Sequence, residues 1–234
     1  MKVAVIADIH GNHYALSEVL KVARQEKAEK LLVLGDICGY YYHPDKVLQL
    51  IEDWDFRLIR GNHERLLLDL KMEKIIETEL RKQYGSGHRF AIEKLSEEEI
   101  YRICLAPDQL QVEFDNVSIL MCHGSPVDSD QYLYPDSEKV VLEGCDVENI
   151  DFVLVGHSHY PFTVRNKFST LINVGSVGQS RRVGGIASWL MLNTANNSFE
   201  AKATPYRTEQ LEKEVVIIDP EIHYLLDILK RNRK

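Results

Sequence analysis

The sequence predicts an α/β protein with a parallel sheet in its N-terminal part. Residues 1–62 alternate between short apolar runs and helical patterns, in the order strand, helix, strand, helix, strand. Residues 64–110 have a helical pattern without strands, and the rest of the chain is rich in short strands punctuated by Gly or Asn. Strands that alternate with helices are typical of parallel sheets with right-handed crossovers.

The first elements follow from apolar periodicity. Lys2–Ala7 is an apolar run, which is typical of a strand buried on both faces, and Lys30–Leu34 and Phe56–Ile59 are the next two predicted strands. His13–Gln25 has a helical stripe of apolar residues, and Pro44 begins a second helix.

The middle of the chain is predicted to be a helical insertion at about residues 65–110. Ser96 and Glu99 form a capping box that begins a helix there, and Pro107 ends it. The insertion is much longer than a usual strand-to-helix connection and directly follows the loop that contains Asn62 and His63. It is expected to be either a cap over that loop, which limits access to small molecules, or a layer that only covers the sheet. Gly85-Ser86-Gly87 is expected to be a flexible joint.

The second half is predicted to contain six strands and two helices. The strands are Val117–Met121, Phe152–Val155, Phe162–Arg165, Thr170–Val174, Ile186–Leu192 and Phe199–Ala203. The helices are Ser137–Leu142 and Pro220–Leu229, and a basic tail, Lys230–Lys234, follows them.

The composition limits the class of protein. The chain has 234 residues, 44% of them hydrophobic and 27% charged, so we expect one domain over residues 1–234 that needs no disulfides. The formal net charge of -8 argues against an extended nucleic-acid-binding surface. No apolar stretch approaches the roughly 20 residues of a membrane span, and the N-terminus does not resemble a signal peptide. The cysteines form no C-x-x-C pair, so we expect reduced thiols and a cytoplasmic protein.

Five predicted strands are each followed by side chains that bind metals. In chain order these are Asp8 and His10; Asp36; Asn62 and His63; His123; and His157 and His159. Because strand carboxyl ends share one edge of an open α/β sheet, we expect these residues to meet there. Mixed oxygen and nitrogen donors suit Mn²⁺, Fe, Zn²⁺, Co²⁺ or Ni²⁺ better than Ca²⁺.

Two of these clusters place metal-binding residues at positions i and i+2. They are Asp8 with His10 and His157 with His159. In an extended chain such side chains point to the same side, so each pair is expected to face one metal region.

The motifs together resemble those of the calcineurin-like metallophosphoesterases. The matching motifs are Asp8-x-His10, Gly35-Asp36, Gly61-Asn62-His63-Glu64, His123-Gly124 and Gly156-His157-x-His159. Residues 173–179, Asn-Val-Gly-Ser-Val-Gly-Gln, also resemble a loop of the small bacterial and archaeal phosphodiesterase branch. All five motifs occur in order, each after a predicted strand, which makes the resemblance specific. It implies a four-layer αββα sandwich of two mixed sheets flanked by helices.

The resemblance also implies a site with two divalent transition-metal ions, with Mn²⁺ preferred. One ion would be held by Asp8, His10 and His159, the other by Asn62, His123 and His157, and Asp36 would bridge them. The expected reaction is hydrolysis of a phosphate ester, preferably a diester, by a hydroxide between the two ions. His63 would bind no metal and would act as a general acid or an electrostatic stabiliser.

Three alternatives of function stay open. The first is a phosphomonoesterase. The second is a phosphoprotein phosphatase, which is disfavoured because Gly35-Asp36-Ile37-Cys38-Gly39-Tyr40 lacks the Gly-Asp-x-x-Asp-Arg-Gly pattern. The third is a non-catalytic scaffold, which is disfavoured because every candidate ligand and His63 are retained.

The substrate is expected to be a small phosphate ester. A cyclic nucleotide, a dinucleotide, a nucleic-acid end and a small monoester all fit, because loops outside the metal cluster set specificity. Asn12 and Arg181 are candidates for substrate binding, although Arg181 with Arg182 could equally be a solvated pair. Tyr40-Tyr41-Tyr42 is either a base-stacking surface or a packed loop, with the packed loop favoured.

Overall fold

The computed structural model describes residues 1–232 and contains two five-stranded sheets that pack face to face between helices. The strands are β1 (Lys2–Ile6), β2 (Lys30–Val33), β3 (Phe56–Leu58), β4 (Gln109–Phe114), β5 (Val117–Cys122), β6 (Phe152–Val155), β7 (Phe162–Arg165), β8 (Thr170–Asn173), β9 (Ile186–Asn193) and β10 (Ser198–Pro205). The helices are α1 (His13–Gln25), α2 (Pro44–Glu52), α3 (Asn62–Lys71), α4 (Glu77–Tyr84), α5 (Gly87–Lys94), α6 (Glu97–Cys104), α7 (Lys139–Glu143), α8 (Glu209–Ile218) and α9 (His223–Lys230).

Both sheets are mixed, with parallel strands at their centres. The first sheet has the order β10-β9-β1-β2-β3, in which β1, β2 and β3 are parallel, β9 pairs antiparallel with β1, and β10 pairs antiparallel with β9. The second has the order β4-β5-β6-β8-β7, in which β5, β6 and β8 are parallel and the edge strands β4 and β7 run antiparallel to them. The parallel strands of both sheets thus lie where the predicted metal-binding loops begin.

Alternate residues of each strand supply different layers of the core. Val3 and Val5 of β1 face the second sheet and pack in one cluster with residues such as Ile119 of β5. Ala4 and Ile6 face the other way and pack against the helices. α7 covers the outer face of the second sheet. This arrangement of helix, sheet, sheet and helix confirms the predicted αββα sandwich.

The structure corrects several predicted element boundaries. β4 was not predicted, because its alternation of polar and apolar residues follows a helical region directly. α8 was not predicted either, and the last helix begins at His223 rather than Pro220. The helix near Ser137–Leu142 is α7, shifted by two residues at its start. Of the predicted basic tail, Arg233 and Lys234 lie outside the described residues.

Most of the helical insertion forms part of the layer that covers the first sheet. Apolar residues of α3, α5 and α6, among them Leu67, Ala91 and Ile103, belong to the same core cluster as the outer face of β1 and β2. The sequence predicts a flexible joint at residues 85–87, but in the structure hydrogen bonds hold this junction between α4 and α5 in place. Ser86 is buried, and its backbone N–H and hydroxyl donate to the carboxylate of Asp219 at 2.8 and 2.7 Å.

Two further sequence expectations concern cysteines and membranes. All four cysteines, Cys38, Cys104, Cys122 and Cys145, are buried and free. Over residues 1–232, no helix has the length and apolarity needed to cross a membrane.

Candidate metal centre

The predicted metal-binding side chains meet at the carboxyl ends of five parallel strands. These strands come from both sheets, not from one sheet edge: β1, β2 and β3 from the first, and β5 and β6 from the second. The side chains are buried apart from Asn62, which is partly exposed. The packing of the two sheets against each other therefore assembles the site.

The donor atoms form two groups that share one carboxylate. Asp8, His10, Asp36 and His159 form the first group, and Asp36, His123 and His157 form the second, with the donor atoms of each group within 4.8 Å of one another. Asn62 Oδ1 lies 3.1 Å from His123 Nε2 and thus extends the second group. The two groups are those that the sequence resemblance implied, with Asp36 common to both.

Imidazole nitrogens face one another at short distances within each group. His10 Nε2 lies 3.1 Å from His159 Nε2, and His123 Nε2 lies 3.2 Å from His157 Nδ1. His123 Nε2 is also 3.2 Å from Asp36 Oδ2. Donors about 2.1 Å from a common ion lie roughly 3–3.5 Å from each other, so this spacing is that of metal ligands.

Backbone carbonyls determine which nitrogen of each ring is free to bind a metal. The Nδ1–H groups of His10, His123 and His159 donate to Cys38 O, Leu34 O and Gln179 O at 3.1, 2.7 and 2.8 Å. The Nε2 atoms of His10 and His159 then carry lone pairs that face each other at 3.1 Å, and two such lone pairs repel unless a cation lies between them. For His123, burial acts to lower the pKa but the neighbouring Asp36 raises it to about 10, so without a cation its Nε2 carries a proton toward Asp36. The residues therefore fit a metal site.

His157 uses the opposite ring nitrogen for its hydrogen bond to the backbone. Its Nε2–H donates to Asp130 O at 3.2 Å, which leaves Nδ1 as the donor atom toward the site. Burial lowers the pKa of His157, and likewise that of His10, to about 4. Both rings are therefore neutral near pH 7, as metal ligands must be.

The two carboxyl groups of the site differ in their pKa. Burial raises the pKa of Asp8 well above its usual range, against the opposing effect of His123. Burial also acts to raise the pKa of Asp36, but the neighbouring His123 and His63 together hold it well below its usual range. Asp36 is thus ionised in this site.

The backbone of the ligand loops is left-handed, contrary to the extended conformation inferred from the i, i+2 spacing. Five of the seven candidate ligands have a positive φ, between 53° and 64°: Asp8, His10, Asp36, His157 and His159. Residues with side chains avoid this region, and clusters of such residues are typical of functional sites. The side chains of Asp8 and His10 do converge on one donor group, through left-handed turns after the strand has ended. His157 and His159 instead belong to different groups, so the expectation that each pair faces one metal region is wrong for this pair.

Comparison with known proteins decides the family. The sequence profile of the calcineurin-like phosphoesterase superfamily domain matches residues 1–197. The chain belongs to this superfamily. The superfamily is metal-dependent, which agrees with the two donor groups of the site.

Similar proteins match the superfamily member over nearly its whole length. An uncharacterised protein from Methanocaldococcus jannaschii is 27% identical over 233 residues, which cover 92% of this chain and 91% of that one. A hypothetical protein from Pyrococcus horikoshii OT3 has a solved structure with a TM-score of 0.84, at 22% identity and with 100% and 99% of the two chains covered. A metallophosphoesterase from Sphaerobacter thermophilus has a TM-score of 0.77, at 19% identity and with 97% and 99% covered.

Glu64 stabilises the loop that contains Asp36 by accepting hydrogen bonds from its backbone. Its carboxylate is fully buried and accepts backbone N–H groups of Asp36, Ile37 and Gly61 at 2.8 Å and of Cys38 at 3.3 Å. Glu64 is the last residue of the Gly61-Asn62-His63-Glu64 motif, for which the sequence predicted no separate role. Its position three residues after Gly61, at the start of a helix, is the signal that could have revealed this role.

The loop after β8 supports the first ligand loop. The hydroxyl of Ser176 donates to Asp8 O at 2.7 Å, and the N–H of Gly178 donates to the same oxygen at 2.9 Å. Asn173 donates to Gly156 O at 2.7 Å, just before His157. The segment that resembled the phosphodiesterase branch thus fixes the backbone of two ligand loops.

The remaining candidate residues have different surroundings. His63 is buried, and its ring centroid is 4.8 Å from that of His10. The backbone N–H of His63 donates to Asp36 Oδ1 at 2.9 Å. Asn12 caps α1 by accepting from Ala15 N, and its amide donates to Gly178 O at 2.9 Å. Because its polar groups serve the fold and it is fully buried, we leave Asn12 out of the proposed substrate site.

Arg181 lies beside the metal centre rather than in a solvated pair with Arg182. Burial is the main influence on the pKa of both Asp8 and His159, and the nearby charge of Arg181 acts against burial at Asp8 and with it at His159. The Nε of Arg181 is buried and has no hydrogen-bond partner within residues 1–232. A buried guanidinium N–H is costly to leave unpaired, so this atom can bind a ligand or an ordered water.

The Tyr40-Tyr41-Tyr42 run divides between the two roles considered for it. The hydroxyls of Tyr41 and Tyr42 donate to Leu225 O and Asp219 Oδ2, so these two residues pack the loop against the C-terminal helices. The Tyr40 ring instead lies 4.6 Å from His10 and 4.8 Å from His63, beside the metal centre.

Proposed function

We propose that the chain is a metal-dependent phosphodiesterase that hydrolyses a small phosphate ester. The observation that carries this proposal is the shared carboxylate: two donor groups meet at Asp36, and His63 lies next to them without belonging to either. A site of this composition suits two divalent transition-metal ions, with Mn²⁺ preferred over Fe, Zn²⁺, Co²⁺ and Ni²⁺.

The residues divide the work in the following way. Asp8, His10 and His159 would hold one ion and Asn62, His123 and His157 the other. When bound, the ions would activate a water molecule and neutralise charge on the phosphate. The ordered carbonyl partners of the histidines keep the ligand nitrogens aimed at these positions, so little reorganisation is needed on binding.

His63 is proposed to deliver a proton to the leaving oxygen. Its ring is buried beside the ligands, and burial lowers its pKa well below the usual value, against the opposing effect of Asp36. An anionic phosphate bound next to the ring would raise that pKa again. Replacing His63 with Ala should leave the metals in place and reduce the rate by roughly 10²–10⁴-fold, as for the loss of a general acid.

Arg181 is proposed to bind the non-bridging oxygens of the phosphate. Its unpaired Nε–H and its position near Asp8 and His159 support this role. Tyr132 adds an aromatic surface at the rim, because it is 49% exposed and its ring centroid is 3.9 Å from that of His157. An aromatic ring next to a phosphate site suits the base of a nucleotide, which makes a nucleotide ester one candidate substrate.

The preference for a diester rests on the loop at residues 173–179. This loop resembles the phosphodiesterase branch of the superfamily and supports the ligand loops of Asp8 and His157. Hydrolysis of a monoester is the main alternative, since the same metal centre could serve it.

The test is a panel of phosphate esters assayed with the Mn²⁺-loaded protein. The panel should pair a bis-nitrophenyl diester with the nitrophenyl monoester, and cyclic nucleotides and dinucleotides with a nucleoside monophosphate. We expect faster turnover of diesters and its loss after chelation, with recovery on return of Mn²⁺. Faster turnover of monoesters would support the alternative. Full activity after chelation, with no transition metal by elemental analysis, would refute the proposal.

A further inference from the structure

His88, the second residue of α5, contacts the proposed proton donor directly. Its Nε2 lies 3.2 Å from His63 Nδ1 in hydrogen-bonding geometry. The two ring planes are within 9° of parallel, with centroids 5.0 Å apart. The exposed fractions of His63 and His88 are only 2% and 1%, so water does not compete for this contact. His88 belongs to none of the metal-binding motifs and comes from the helical insertion.

The direction of this hydrogen bond follows from the proposed chemistry. A His63 that is about to give up a proton carries N–H on both ring nitrogens. Its Nδ1–H must then donate, and His88 Nε2 must accept. Burial lowers the pKa of His88 to about 4, so His88 is neutral near pH 7. For Nε2 to accept, the proton of His88 must be on Nδ1, which is buried and has no hydrogen-bond partner within residues 1–232. The proton that can be transferred is therefore on His63 Nε2.

Close backbone packing brings the two rings together. A Cβ atom on Gly39 would lie 2.1 Å from His63 Nδ1, and one on Gly87 would lie 2.5 Å from the Gly39 carbonyl carbon. A larger residue at Gly87 would push α5 away from the loop that follows Asp36, and a larger residue at Gly39 would displace the ring of His63. The absence of side chains at Gly39 and Gly87 thus allows His88 to reach His63.

A buried carboxylate fixes the start of α5 in this position. Asp219, which is 1% exposed, accepts hydrogen bonds from Ser86 and from Arg81 Nε at 3.0 Å. Tyr42 OH donates to the same carboxylate at 3.1 Å. Because Tyr42 belongs to the loop after Asp36, one side chain ties that loop, the α4–α5 junction and the C-terminal segment together.

We propose that His88 is a positioning residue for His63: it accepts the His63 Nδ1–H and holds the ring so that Nε2 faces the leaving oxygen. This inference rests on the proposed function, because it needs His63 as the proton donor. The helical insertion would then supply part of the active site in addition to covering the sheet.

Variants of His88 separate positioning from simple packing. His88→Phe fills the same space without an acceptor, and His88→Gln restores an acceptor. His223→Gln, at an exposed position at the start of α9, is the matched control. We expect His88→Phe to keep its metals and its KM, but to lower kcat roughly 10- to 100-fold for esters with poor leaving groups, as expected for a misplaced catalytic group. Esters with an activated nitrophenyl leaving group should lose little, and His88→Gln should recover part of the rate.

A double variant tests whether His88 acts through His63. The combination of His63→Ala with His88→Phe should be no slower than His63→Ala alone, because the positioned group is already gone. Additive losses would overturn the proposal, as would an equal loss of rate for good and poor leaving groups.

A spectroscopic measurement tests the hydrogen bond between His63 and His88 without an activity assay. The ¹⁵N chemical shifts of the His63 ring should report a hydrogen-bonded Nδ1 in the wild-type protein, a change in His88→Phe, and no change in His223→Gln. Unchanged shifts in His88→Phe would overturn the proposal. If the wild-type protein hydrolyses no ester, the proposed function fails and the catalytic role of His88 with it, whereas the shifts would still establish or refute the contact.

Discussion

Replacing Glu64 with Gln should destabilise the protein severely, although the two side chains have nearly the same shape. The carboxylate is fully buried, and each of its oxygens accepts from two backbone N–H groups. Oε2 accepts from Asp36 and Gly61, and Oε1 from Ile37 and Cys38. Gln keeps one oxygen, so its NH₂ group must face two N–H donors.

The expected loss follows from these two unpaired donors. A buried donor left without an acceptor costs about 1–3 kcal/mol, so two of them cost about 2–6 kcal/mol. Hydrogen bonds to a charged group are stronger than neutral ones, but burial and the neighbouring Asp36 raise the pKa of Glu64, so removal of its charge also relieves part of the cost of burying it. With a total free energy of unfolding of about 5–15 kcal/mol for a typical domain, Glu64→Gln would remove a large fraction.

Urea unfolding of the chelated protein measures this change, since without metal the binding of ions does not contribute to stability. Glu99→Gln is the matched control. Glu99 also stands three residues after a helix N-cap, but it is partly exposed, and within residues 1–232 its carboxylate accepts only from Ser96. We expect Glu99→Gln to cost less than about 1 kcal/mol. Equal losses in the two variants would refute the reasoning, because burial and the number of donors would then make no difference.

Two further variants test the site. Asp36→Asn should reduce the affinity for at least one metal ion by more than the 10–100-fold typical of losing a residue that only hydrogen-bonds to a ligand, and should abolish most turnover, because the Asp36 carboxylate belongs to both donor groups. Elemental analysis measures the metal content and kinetics the turnover; full metal content with full activity would contradict the bridging role. Arg181→Met should keep the metals and raise KM roughly 10- to 100-fold, as expected when a hydrogen bond from a charged group is lost; Arg182→Met is the control, and equal effects of the two substitutions would show that Arg181 binds no phosphate.

Local patterns predict that the candidate metal ligands lie together, whereas their division into two groups was implied only by the resemblance to the family. Each ligand follows a buried strand, and strands that run parallel end at the same side of a sheet. The sequence does not reveal that the two sheets contribute different ligands, for instance His10 from the first and His157 from the second. That fact depends on how the sheets pack, which is determined by contacts far apart in the chain.

The elements that the sequence analysis missed have weak local patterns. β4 is an edge strand whose polar residues alternate with Leu110, Val112 and Phe114, and it follows a helix after only a few residues. The left-handed conformation of Asp8 and His157 was missed because the i, i+2 spacing of the ligands is compatible with an extended chain. In both cases tertiary packing, not local preference, determines the conformation.

The helical insertion has one part that covers the sheet and another that reaches the candidate metal centre. The cap hypothesis therefore applies only to the second part, the α4–α5 junction. α3 and α6 pack on the first sheet, as a covering layer does. The α4–α5 junction instead brings Tyr84 to 4.8 Å from the His63 ring and His88 to its Nδ1. His88 is separated by 25 residues from its partner, and no periodic pattern connects them. A cap that only limited access would need bulk at this point, whereas a hydrogen bond to the proposed acid needs one particular ring. Replacing residues 84–91 with a linker would therefore change rate as well as selectivity, and substitutions of His88 alone separate the two effects.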